Sequence, residues 1–332
     1  MPVALALAIY WGTNFGYDQL FLKVNTDLSV AHDAFLRVQQ DYLDEVSRLG
    51  ESYTFRSALK VADADVIADH VRALREKAGL SYLHVTDAAG YWLYEGGPGS
   101  PLQSLQSALT ARAQAGEAVK GIELFTPQAL AVEGLLARVI LPLIPTPYAM
   151  PTERTVEDRG MMIRVLYPII GAQKDVVAVL DGGVLLNGNF GFVDTLRDLV
   201  YGPGSLPPQS IGTVTVFLED VRISTNVPLK EGERALGTRV SREVRDDVFG
   251  QGNIWSNLAF VVNDWYISAH EPIYDHQGQR VGMLYAGFLA DPFQLRLWQA
   301  FATLVMLFFA LMFLSVIIVV RGRVRSLGPW KP

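Results

Sequence analysis

From Ala300 to Val320 the chain runs 21 residues without a charge, and Arg321, Arg323 and Arg325 follow at once. As a helix rising about 1.5 Å per residue, this segment reaches ~31 Å, enough to cross the hydrocarbon core of a bilayer. Basic residues gather on the cytoplasmic side of such spans, so the tail 321–332 is expected inside the cell and residues 18–292 outside it. Residues 2–17 are also uncharged, although Gly12, Thr13, Asn14 and Gly16 dilute their apolar character. They lack the basic start and small-residue cleavage site of a secretory signal, and read as a first transmembrane helix at 1–17, either whole or truncated.

Composition fits an exported globular region between two membrane helices. The 28 basic residues are outnumbered by 34 acidic ones and cluster at the inner end, which leaves no broad cationic surface for nucleic acid. Cysteine is absent, which excludes disulfides, thiolate metal sites and cysteine nucleophiles. The length between the spans suits two modules.

Between Tyr17 and Leu49 there is no proline or glycine, and Leu20, Val24, Leu28, Ala31, Phe35, Val38, Tyr42 and Val46 recur at helical spacing. This predicts one long helix ended by Gly50, with a second at 63–77. Extended segments at 81–86 and 91–94 around Asp87–Gly90 predict a hairpin, and 102–113 a helix. Prolines 142, 145, 147 and 151 predict an irregular connection. Strands are expected at 161–170 and 175–186, a helix at 192–200 and a linker at 202–208. Strand pairs at 212–219 with 221–226, and 264–272 with 280–289, then enclose a helix at 239–249. PIIGAQKDVVAVLDGGVLLN, from Pro168, aligns without a gap on PIYDHQGQRVGMLYAGFLAD, from Pro272, with identity at seven of twenty positions and an offset of 104 residues. Two copies of one α+β module explain it economically.

The runs GIELFTPQALAVEGLLARVILPLIPTPYAM, EDRGMMIRVLYPI, LDGGVLLN and IGTVTVFLEDVRISTNV resemble the double Cache, PAS-like sensory region of bacterial two-component sensor histidine kinases. GERALGTRVSREV and WYISAHEPIYDHQGQRVGMLYAGF are similar to single Cache modules as well. The resemblance covers about Tyr17 to Phe293. It implies an α+β fold in which a long N-terminal helix carries two tandem modules, antiparallel sheets flanked by helices, between two transmembrane helices. The corresponding divisions are 1–17, a membrane-distal module at 18–208, a membrane-proximal one at 209–292, a second span at 293–320 and the tail 321–332. It also implies an extracytoplasmic, periplasmic small-molecule sensor in the inner membrane, working as a homodimer. Chemoreceptors and cyclic-dinucleotide enzymes carry such regions too. Kinases of this type continue into a relay helix and an ATP-binding domain, whereas RVRSLGPWKP has proline where a relay helix would propagate. The expectation is a fragment, a degenerate receptor or a sensor with a separate partner, without catalytic activity of its own.

Candidate chemistry is sparse. Histidines 32, 70, 84, 270 and 276 form no pair at ligand spacing, and His270-Glu271-Pro272 in a predicted strand is not a zinc-hydrolase helix. No metal or cofactor is expected. Ligand candidates in the distal module are Tyr82, His84, Arg164, Tyr167 and Asp181. Arg164 and Asp181 either grip an amino acid's carboxylate and ammonium or form a salt bridge with each other. Arg164 and Tyr167 differ by an odd number of residues and should face opposite ways. In the proximal module Phe217, Arg222, Trp265, Tyr266 and Tyr285 form a second, weaker set, in which Arg222 either takes a carboxylate or pairs with Asp220. The resemblance favours the distal set. Amino acids, amines and organic acids are the ligand classes considered. The rival readings are a ligand-free assembly or partner-binding module and a surface hydrolase, for which no catalytic set is recognisable.

Overall fold

The computed structural model of the protein describes residues 2–94, 103–230 and 232–326. Helix α1 spans Pro2–Glu51, about 75 Å at 1.5 Å per residue. The helix expected from Tyr17 begins instead at Pro2, so 2–17 is not a separate element. Its end falls one residue beyond Gly50, which lacks a side chain because the Tyr167 ring lies there: a Cβ would stand 2.5 Å from that ring.

Helices α2 (Tyr53–Val61) and α3 (Ala64–Ala78) follow. Asp63 caps α3 by accepting the Val66 N–H. Strand β1 (Tyr82–Thr86), helix α4 (Ala108–Gln114), strand β2 (Val119–Phe125), helices α5 (Pro127–Val132) and α6 (Leu136–Val139), and strands β3 (Leu141–Pro142), β4 (Val156–Glu157), β5 (Gly160–Ile170) and β6 (Val176–Leu185) complete the first half. An antiparallel sheet runs in the order β1-β6-β5-β2. After α7 (Phe190–Val200) come β7 (Gly212–Leu218), β8 (Val221–Thr225), β9 (Pro228–Lys230), β10 (Glu233–Arg234), α8 (Arg242–Val244), a π-helical turn at Arg245–Gln251, β11 (Trp255–Val261), β12 (Asp264–Tyr274), β13 (Arg280–Leu289) and α9 (Asp291–Ser326). The second sheet has the order β11-β12-β13-β7-β8.

Both sheets lay one face on a core that α1 shares. Ile163, Val165 and Leu180 of the first sheet and Ile267, Ala269, Leu284 and Phe288 of the second belong to the same buried cluster as Val24, Leu28, Ala31, Phe35 and Val46 of α1. The opposite faces pack separately, Tyr82, Phe125, Met162 and Leu185 in one sheet and Phe217, Tyr266, Met283 and Tyr285 in the other. Period-two alternation sorts the strand residues to these faces.

The two aligned twenty-residue segments lie in different sheets and repeat each other's pairing. Pro168 opposes Val179 as Pro272 opposes Met283, and a bulge falls between Ile169 and Ile170 as between Ile273 and Tyr274. Each proline stands beyond the last paired residue of the neighbouring strand, at Leu166 with β2 and at His270 with β11. There its missing N–H costs no ladder bond. The turns match as well: Gly278 takes φ +76° and Lys174, at the equivalent position, φ +65°.

Several local expectations need correction. Residues 91–94 turn back on the end of β1 as expected, with Leu93 N–H donating to Val85 O at 2.8 Å and Thr86 bridging Trp92, but the pairing is too short to make a strand, and β1 pairs along its length with β6. The helix expected at 102–113 begins at Ala108, with Ser107 as its cap, and residue 102 lies outside the described residues. The helix at 239–249 is a short turn, 242–244, running into the π-helical one. Among the described residues one helix is long and apolar enough to cross a membrane, Asp291–Arg321, whose most apolar 18-residue stretch has a mean hydropathy of 3.0. The first turns of α1 lie beside it: a Cβ at Gly12 or at Gly16 would stand 2.9 Å from Phe301 or Leu297.

Candidate functional site

In the first sheet the polar candidates close on one another. Arg164 is fully buried, donating from Nε to Asp181 Oδ1 at 3.0 Å, from Nη2 to Asp181 Oδ2 at 2.6 Å and from Nη1 to Glu123 Oε2 at 2.8 Å. Tyr82 donates to Asp181 at 3.3 Å, and its ring stacks on His84, whose Nε2 meets Glu133 Oε2 at 2.7 Å. Burial alone would raise the Asp181 carboxyl, but the Arg164 charge and its hydrogen bonds outweigh that and hold it below its usual range. Burial would likewise lower Arg164, yet Asp181, Tyr82 and Glu123 together drive it upward. Two carboxylates therefore take up the guanidinium's donors. Tyr167 stands apart on the α1 side, its hydroxyl on Glu51 at 3.2 Å, as the odd spacing requires. A cavity of about 300 Å³ borders this group beside α3, lined by Arg72, Arg75, His84 and Trp92.

The second sheet is organised differently. Arg222 is buried, yet its partners are hydroxyls: Nε donates to Thr238 Oγ1 at 3.1 Å, and Nη1 to Thr215 Oγ1 at 3.1 Å and Thr225 Oγ1 at 3.4 Å. Asp220, the expected partner, pairs instead with Arg239 at 2.6 Å. No carboxylate among the described residues pairs with Arg222. The guanidinium lies 4.9 Å from the Phe217 ring centroid and 5.9 Å from that of Tyr285, an arrangement that partly offsets an uncompensated buried cation. Burial pulls its pKa down to about 10, so it remains charged at neutral pH.

Arg222 lines a cavity of about 400 Å³ with Thr238, His270, Trp255, Phe260 and Trp265. Of the candidates, Arg222 and Trp265 reach it, Trp265 from a half-exposed position. Phe217, Tyr266 and Tyr285 are buried in the adjoining core, where Tyr285 shares a hydrogen bond with Thr213 at 3.0 Å. The irregular connection supplies further wall through Thr146, Pro147 and Tyr148. It docks there because Ile144 donates to Gly237 O at 2.9 Å. At Gly237, with φ +75°, a Cβ would stand 2.2 Å from the Pro142 carbonyl oxygen. His270, Thr238 and this connection were not sequence candidates. His270 shares Tyr266's parity on β12, which was a usable signal; Thr238 and Tyr148 arrive on loops and carried none.

His270 is buried, and its Nδ1 has no hydrogen-bond partner among the described residues. Burial first, then the Arg222 charge, pulls its pKa to about 3, so the ring is neutral. The unfolded chain keeps an ordinary histidine near 6.5 and therefore binds the extra proton between about pH 6.5 and 3. Stability conferred by this site accordingly falls as pH drops through that window, by ~1.4 kcal/mol per unit once below about pH 6. His270→Phe is expected to flatten the decline, measured by urea unfolding between pH 7 and 5; an unchanged slope would refute the assignment.

No curated protein matches the chain. Solved structures that resemble it include the periplasmic domain of LuxQ from Vibrio cholerae, at 12% identity over 80% of this chain and 98% of that one, TM-score 0.44. The sensor domain of the V. cholerae histidine kinase DctB has 11% identity over 81% and 97%, TM-score 0.44. The ligand-binding domain of the Pseudomonas fluorescens chemoreceptor CtaA, in complex with L-isoleucine, has 11% identity over 85% and 98%, TM-score 0.43. Residues 184–300, which hold all of the second sheet, match the family model described as single cache domain 3.

Proposed function

We propose that this chain is an extracytoplasmic small-molecule sensor anchored in the inner membrane, and that its ligand enters the cavity at Arg222. The observation that carries the reading is that cavity: about 400 Å³, aromatic-walled, with a buried arginine whose guanidinium, among the described residues, hydrogen-bonds to threonines alone. Thr215, Thr225, Thr238, His270, Trp255 and Trp265 all fall within the segment that matches the Cache family. The modules are 18–208 and 209–292, a division supported by the pairing shared at an offset of 104 residues. α9 is the span, and the N-terminal turns of α1 accompany it into the bilayer through Gly12 and Gly16. The wall contributed by residues 146–148 belongs to the distal module, so a ligand in the proximal cavity touches both. The chain recognises a signal that an output of the two-component kind, on the same polypeptide or on a partner, carries further; two copies act together.

Thermal unfolding of the full chain in detergent against amino acids, organic acids and amines tests this. A specific rise in melting temperature is expected, and Ala259→Trp, which fills the cavity, should abolish it. No rise with any compound, together with tight association with a membrane partner, would favour the ligand-free assembly module instead. For topology, Ser205→Cys is expected to react with an impermeant thiol reagent in intact cells and Ser326→Cys only after permeabilisation. The reverse pattern would invert the placement.

A further inference from the structure

The charges around the Arg222 cavity specify more than a ligand of some kind. We propose that it takes a monoanionic aryl or arylalkyl carboxylate, received by the Arg222 guanidinium and stacked against the tryptophan walls, and that it rejects ligands bearing an ammonium group. This rests on reading the cavity as the sensory site.

Arg222 is the one buried charged group in the lining. The other two charged lining residues are engaged. Arg239 donates to Asp220 at 2.6 Å and to the Met150 carbonyl at 2.6 Å, and exposed Glu243 accepts the Trp255 indole N–H at 3.1 Å. One negative charge on the ligand therefore completes the balance, and a second has no cation waiting for it. A carboxylate suits a guanidinium because its two oxygens accept parallel N–H donors. Nη2 of Arg222 makes no hydrogen bond among the described residues, and Nη1 meets its second threonine only at 3.4 Å.

The rest of the lining selects the body of the ligand. Trp255, Phe260 and Trp265 offer aromatic faces, with Phe260 and Trp265 edge-to-face at 5.5 Å. His270 adds a neutral imidazole ring to the wall. An ammonium inside would meet the Arg222 charge, with no buried carboxylate in the lining to answer it, and buried Asp220, outside the lining, is already taken by Arg239. The water-facing Glu243, already held by Trp255, is a weak substitute. Tyr148 and Val262 line the cavity with φ of +63° and +60°, conformations that bulky and β-branched residues avoid. Such strain is retained where surrounding structure holds a site in shape.

Three compounds on one skeleton decide the matter by calorimetry on the full chain in detergent: 3-phenylpropionate, phenylalanine and 2-phenylethylamine. The carboxylate is expected to bind, phenylalanine at least tenfold more weakly, and the amine not at all. Arg222→Met should weaken the carboxylate at least tenfold. Equal binding of all three, preference for the amine, or indifference to Arg222→Met overturns the proposal, as does failure of 3-phenylpropionate to bind. The sensory reading fails separately. If another compound raises the melting temperature and Ala259→Trp blocks it, the cavity is sensory and only the carboxylate class is wrong; if none does, both are wrong.

Discussion

Arg164→Met is expected to destabilise the protein by about 3–5 kcal/mol, the cost of removing one partner from a buried ion cluster. Two carboxylates, Asp181 and Glu123, converge on that guanidinium, and both are buried. Methionine fills much of the same space but leaves them facing each other without a cation. The melting temperature should fall by about 6–20 °C, at ~2–4 °C per kcal/mol for a large domain. A fall below about 2 °C would mean that the cluster contributes little to folding. It would also return Arg164 to candidacy as a ligand group, one of the two roles the sequence left open.

The same substitution in the second sheet should act in the opposite direction. Arg222→Met removes a buried cation that no carboxylate among the described residues balances, so the desolvation cost of that ion, several kcal/mol, is lifted and no charge is left unpaired. Its threonine partners are not orphaned by the change. Thr215 and Thr225 bond each other at 2.6 Å, and Thr238 donates to the Ala235 carbonyl at 2.8 Å. The ligand-free protein should therefore melt at the same temperature or a few degrees higher, while losing its response to ligand. Destabilisation beyond about 2 kcal/mol would make Arg222 a structural residue. Measured together, the two variants separate an arginine retained for folding from one retained for recognition.

Much of this was legible in the sequence because it depends on local periodicity. The heptad-like run from Leu20 to Val46, the paired segments at Pro168 and Pro272, and the alternation that separates Arg164 from Tyr167 all follow from 3.6- and 2-residue repeats. Contacts between distant segments were not legible. Nothing near Arg164 announces Glu123, and nothing near Arg222 reveals that Asp220 turns to Arg239 and leaves the guanidinium to three threonines. The continuation of α1 through Gly12 and Gly16 was hidden for a related reason. Glycine weakens a helix by itself, and only the neighbouring Leu297 and Phe301 make its lack of a side chain useful.

α1 is a single shaft that touches both sheets and, at its far end, α9. With no proline after Pro2 it has no hinge of its own, so the three places where it is held move as points on one lever. Pivoting about its midpoint by 5° would carry each end through about 3 Å, given a half-length of ~37 Å. A clearance of 2.9 Å to a hypothetical Cβ leaves no slack to absorb that travel at Gly12 and Gly16. Leverage, rather than a chain of rearranged side chains, is then what connects a shift in either sheet to α9.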